Sequence, residues 1–202
     1  RYYHHSRINQ TLHLFSSVCF MTTYTLLFID PGAAALLGWV FAMWSRQIGH
    51  FFFEPKGFDA VNGTTHEHKE DIKIGYNLVR KRILLGIWAL IPAVLYLKPD
   101  FWGLLVPHTD GEGYLHNLTL VWLALAFGAL VFRTVQLFFI HNAQTGLVWA
   151  TKILTDPFHD FRIYFKSPLH LLRGELIDPM IHVRHGVAPE DAEAEPSVAT
   201  QH

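Results

Sequence analysis

The chain has 202 residues, 50 % of them hydrophobic and 16 % charged, with a net charge of -1. It is more apolar and less charged than an ordinary soluble domain, and shows no basic footprint for nucleic acid. One cysteine, Cys19, excludes an intrachain disulfide and a cysteine-rich zinc or iron–sulfur site, whereas 14 histidines are many for this length.

In chain order, residues 11–29 are almost uncharged and long enough to cross a bilayer as a helix. Asp30-Pro31-Gly32 reads as a turn. Residues 33–53 form a second span, with Arg46 and His50 near its far end, so the pair is expected to be a tight transmembrane hairpin. A polar stretch, 54–82, carries Lys56, Lys69, Lys73, Arg80, Lys81 and Arg82. Residues 83–97 are a third span that tolerates Pro92 as membrane helices do, and 117–140 are a fourth. Residues 143–186 alternate apolar and basic groups, a pattern suited to helices lying in the membrane interface. Within them Leu169 to Leu176 reads as an amphipathic surface segment. The expectation is an all-α polytopic membrane protein. Residues 1–186 make a single membrane domain of about four transmembrane helices plus C-terminal interfacial helices, and 187–202 a flexible acidic tail. Arg133 in the last span reads as a snorkelling side chain. No signal peptide is expected.

With four spans, the N-terminus, the 54–82 stretch and the C-terminal region share one surface. Every Lys and Arg but Lys98 then falls on that side, which the positive-inside rule makes cytoplasmic for both termini.

Two stretches next to apolar runs hold histidines on that surface: residues 3–13, YHHSRINQTLH, and residues 47–54, QIGHFFFE. Polar groups so placed need a partner or a task. His5, Asn9 and His13 are spaced by four and would form one stripe on a helix; His50 and Glu54 are also four apart. Imidazole is a common ligand of iron, zinc and copper, and a nearby carboxylate or amide orients the ring. His66 and His68 would face the same way in an extended segment and add two candidate ligands. A bland reading stands beside this for each histidine, that of an interfacial or solvated polar group.

The two stretches resemble the membrane-bound 2-hydroxy fatty acid dioxygenases, the fungal enzymes of phytosphingosine breakdown and their bacterial relatives. Tyr3, His4, Asn9 and His13 match the first signature, and His5 matches the double histidine of fungal members. Gln47, Gly49, His50 and Glu54 match the second, one residue shorter between Gln and Gly. The likeness covers about the first 60 residues; the segment with His66 and His68 and the region after 140 depart from the pattern. It implies an Fe(II)-dependent dioxygenase that uses dioxygen to oxidise the alpha carbon of a 2-hydroxy fatty acid or similar lipid, with loss of one carbon. It also implies His4, His13 and His50 as metal ligands, with His5 the rival of His4: the family pattern favours His4, the helical stripe His5. Asn9 and Glu54 would orient ligands or substrate, and His66 and His68 would complete the metal shell if their loop folds back. Zinc is the alternative metal. Two further readings are a non-catalytic membrane subunit, in a homo-oligomer or larger complex, and a haem protein with His13 and His50 as axial ligands.

Overall fold

A computed structural model describes residues 4–54, 56–59 and 63–179 of the chain. Tyr3 and the acidic tail 187–202 lie outside the described residues. The fold is mostly helical. Helix α1 spans Arg7–Leu26, α2 Pro31–Leu36 and α3 Trp44–Phe52, with a π-helical segment at Leu37–Met43 between α2 and α3. A two-stranded hairpin follows, β1 Phe58–Asp59 and β2 Thr64–Thr65, then α4 at His66–Asp71. The rest is α5 at Leu78–Leu97, α6 at Gly111–Ile140, α7 at Ala143–Tyr164 and α8 at Ser167–Leu172.

The helices start where a short polar side chain can accept from an orphan backbone N–H. Ser6 caps α1, Asp30 caps α2 with Pro31 just inside, Asn77 caps α5, Asp110 caps α6 and Asn142 caps α7. The cap at Asp30 makes the hairpin turn tight, so α1 and α3 run back to back. Ser16 Oγ donates to the carbonyl of Ala42 at 2.8 Å, taking up an acceptor in the irregular π segment.

One core is apolar. Trp39, Leu85, Trp88, Ile91, Leu95, Leu118, Val121 and Trp122 are buried together between the π segment, α5 and α6. Trp39 meets Trp88 edge to face, with ring centroids 4.2 Å apart. Pro92 cannot donate to the carbonyl four residues back; Trp122 Nε1–H does so instead, 3.2 Å from Trp88 O. The other core is polar. The inner face of α1 buries Asn9, Gln10, His13, Ser16 and Ser17 against α3, α7 and α8.

Helix α6, 30 residues long with a mean hydropathy of 2.0, is long and apolar enough to cross a membrane, and among the described residues it alone meets that measure. The segments expected as further spans are helical but more polar. The inner face of α1 is polar, the 33–53 stretch is split by the π segment, and Arg80, Lys81 and Arg82 occupy the start of α5.

One local expectation is corrected. Arg133 does not snorkel: it is 3 % exposed, bonds Gln136 at 2.6 Å and donates to the carbonyl of Ile74, fixing the α4–α5 connection onto α6. Within the stretch expected to hold interfacial helices, residues 143–164 form α7, which packs along both α1 and α6 and buries Trp149, Asp156, Asp160 and Tyr164. Leu169, Leu172 and Leu176 are exposed, as an amphipathic surface segment requires.

Candidate metal centre

Three imidazoles meet where the start of α1, the end of α3 and the last turns of α7 converge. His4, His13 and His50 each offer a ligand atom, and these atoms lie within 4.8 Å of one another. Ring centroids are 4.2 Å apart for His4 and His13, 5.0 Å for His4 and His50, and 4.9 Å for His13 and His50. This group can hold a metal ion.

Each ring is held on one nitrogen. His13 Nδ1 lies 3.2 Å from Asp160 Oδ2, and His50 Nδ1 lies 2.7 Å from Glu54 Oε2. His4 Nδ1 lies 3.0 Å from the Asn9 amide, with Glu54 Oε1 at 3.8 Å. When Nδ1 donates to an oxygen, the tautomer is fixed and the Nε2 lone pair is left for a metal. His13 Nε2 is fully buried and has no hydrogen-bond partner among the described residues, a costly state that a metal would relieve. Asn9 Oδ1 is likewise unpartnered. Turning that amide over would let Oδ1 accept from His4 Nδ1–H, completing the same arrangement on the third ring.

His4 precedes α1, so the helix does not position it. Its backbone N–H donates to Tyr164 Oη at 3.3 Å, and its carbonyl accepts from Gln10 Nε2 at 2.7 Å. A C-terminal segment secures the same strand: Arg7 N–H donates to Leu176 O at 2.9 Å and Asp178 N–H to His5 O at 2.7 Å. Asp178 also takes the Arg7 guanidinium at 2.9 Å and Gln10 at 2.8 Å. Burial, with the neighbouring His13 ring and the charges of Arg46 and Lys81, holds His4 well below the usual imidazole range, so it is neutral as a ligand must be.

The approach of α1 to α3 depends on Gly49. A Cβ there would overlap the Asn9 side-chain amide at Oδ1. Arg46 closes the outer side, 2.9 Å from Asp160 Oδ2, so one carboxylate serves both His13 and a guanidinium.

Of the residues singled out in the sequence, His4, Asn9, His13, His50 and Glu54 come together. His5 does not join the group. Helix α1 begins at Arg7 after the Ser6 cap, so the expected His5–Asn9–His13 stripe does not form at its first member. His66 and His68 are in helix α4 rather than an extended segment, and neither belongs to the three-histidine group. Asp160, Tyr164, Gln10 and Arg46 were not anticipated at the centre. Asp160 lies 147 positions from its partner His13, beyond any local spacing signal.

No protein-family model, characterised protein or solved structure matches the chain.

Proposed function

We propose that the protein is an integral membrane oxygenase that uses Fe(II) and dioxygen to oxidise the alpha carbon of a 2-hydroxy fatty acid or similar lipid. The observation that carries this reading is the convergence of three imidazoles, one with a buried unpartnered Nε2, each backed by an amide or carboxylate on the other nitrogen. The motif resemblance around His4, His13 and His50 supplies the reaction. The four-span arrangement with both termini in the cytoplasm sets the centre at the inner surface, where a fatty acid presents its head group.

The balanced reaction is a 2-hydroxy acid plus dioxygen giving the acid one carbon shorter, carbon dioxide and water. Dioxygen accepts all four electrons released, so no external reductant is required. Fe(II) supplies the one-electron chemistry that lets dioxygen react with a closed-shell acid. The chain's own residues do the rest. His4, His13 and His50 offer neutral nitrogen donors. Asp160 and Glu54 accept the Nδ1 protons of His13 and His50 and fix the ring planes. These three side chains would hold the metal, and among the described residues no fourth protein ligand joins them in the group. Haem does not fit: rings with centroids 4.2 to 5.0 Å apart are too close to sandwich a macrocycle.

Elemental analysis of detergent-purified protein, wild type beside His50→Ala, tests the proposal. The expected result is near-stoichiometric iron in the wild type, lost in the variant, and conversion of a 2-hydroxy acid to the acid one carbon shorter under oxygen. Zinc in place of iron, or no metal after anaerobic iron reconstitution, overturns it.

A further inference from the structure

His13 and His50 are carried by helices, α1 and α3, whose packing brings the two rings together. His4 is carried by none. It precedes the Ser6 cap, so its place in the centre is set from outside α1. The corner between α7 and α8 sets it.

Tyr164 is the last residue of α7 and is 2 % exposed. Its hydroxyl oxygen accepts from the His4 backbone N–H at 3.3 Å. Its ring lies beside two of the imidazoles, with centroids 6.4 Å from His4 and 6.3 Å from His13, within the range of aromatic contact. Asp160, one turn earlier on the same face of α7, holds His13 Nδ1 at 3.2 Å. The last turn of α7 therefore serves two ligands by different means, a carboxylate on the ring of His13 and a phenol on the main chain of His4. Across the corner, Ser167 Oγ donates to Gln10 Oε1 at 2.5 Å, and Gln10 Nε2 donates to the His4 carbonyl at 2.7 Å. His4 is thus held at its N–H by α7 and at its carbonyl by a side chain that α8 fixes. The Asn9 amide then aims the ring, 3.0 Å from Nδ1.

We propose that Tyr164 is a positioning residue for one ligand only: its hydroxyl seats His4, and the third imidazole enters the metal centre through that bond. This rests on the three-histidine group holding a metal and on no particular reaction. The physical reason is entropic. A strand outside a helix has many backbone conformations to lose, each placing the imidazole elsewhere, and a bond to the main chain removes some of them. Tyr164→Phe keeps the ring and its packing but removes the acceptor. It should act on His4 while sparing the two helix-borne histidines.

Copper(II) is the probe, because nitrogen donors bind it more tightly than other divalent first-row ions and its paramagnetic resonance spectrum reports the nitrogens bound. One equivalent is added to the purified full chain in detergent, for wild type, Tyr164→Phe, His4→Ala and His13→Ala. The last variant sets the background from histidines outside the centre. The wild type is expected to show three imidazole nitrogens. Tyr164→Phe should show a mixture of that spectrum and the two-imidazole spectrum of His4→Ala. Its copper affinity should fall by about tenfold, the low end of what loss of a ligand-orienting partner costs. Three imidazoles at wild-type affinity in Tyr164→Phe, with or without a lower thermal midpoint, would make the hydroxyl structural only and overturn the assignment. A wild type with no copper above the His13→Ala background would overturn the metal centre itself, and the assignment with it. If Tyr164→Phe does not fold, hydrogen exchange in the wild type decides. A protected His4 amide supports the assignment, and exchange at the rate of an open strand overturns it.

Discussion

Asn9 fits beside His4 because Gly49 opposite it has no side chain. Gly49→Ala is therefore expected to push α1 and α3 apart and cut iron content sharply, with little loss of helix by circular dichroism; iron at the wild-type level would contradict the close approach. Asp160 acts through His13 without being a ligand. Asp160→Asn keeps the size but removes the charge shared with Arg46, and is expected to weaken metal affinity by roughly 10- to 100-fold, as loss of a ligand-orienting partner does. A competitive chelator titration measures it. His5→Ala should leave metal content unchanged, whereas His4→Ala should abolish it. The sequence left that pair open. The four-residue spacing favoured His5, but it presupposed a helix already running at residue 5, and the Ser6 cap starts it at Arg7.

At the scale of elements, the hairpin was legible because its signals are local: two apolar runs, an Asp-Pro turn, and histidines placed to return to one end. Its consequence, His13 beside His50, was legible with it. The third wall was not. Helix α7 reads as a mixed aromatic and charged segment, and only packing reveals that Asp156, Asp160 and Tyr164 face inward. Nor could spacing show that residues 176–178 would pair with the strand before α1, forming the bridge between Ser6 and Ile177. That bridge gives a prediction. Asp178 is buried on Arg7 and Gln10, so Asp178→Ala leaves a buried guanidinium without its carboxylate. Breaking a buried pair costs about 3 kcal/mol, seen as a lower thermal midpoint. Because the strand carries His4, metal affinity should fall as well. A midpoint that falls with affinity intact would mean the strap stabilises the fold without holding the ligand.

For the whole molecule, the apolar and polar cores are built by different elements. The three-tryptophan core lies between the π segment, α5 and α6, and the histidines gather beside the inner face of α1, where Asp160 holds both His13 and Arg46. Among the described residues only α6 has the length and hydropathy of a span by itself. The four-span reading instead requires α1, with its polar inner face, and the broken α2–α3 arm to enter the bilayer as a packed pair. That is physically acceptable, because the polar face of α1 is turned onto α3 and α7, while Phe15, Val18, Phe28 and Ile29 are exposed where lipid would lie. The arrangement is decided by accessibility. In a Cys19→Ser background, Lys56→Cys and Lys98→Cys would be challenged in intact cells with a membrane-impermeant maleimide. Four spans with cytoplasmic termini require Lys98→Cys to react from outside and Lys56→Cys to react only after lysis. Reaction of both from outside would place the histidine centre on the outer surface. Reaction of neither would bring the α5–α6 connection to the cytoplasmic side, so that α5 does not span.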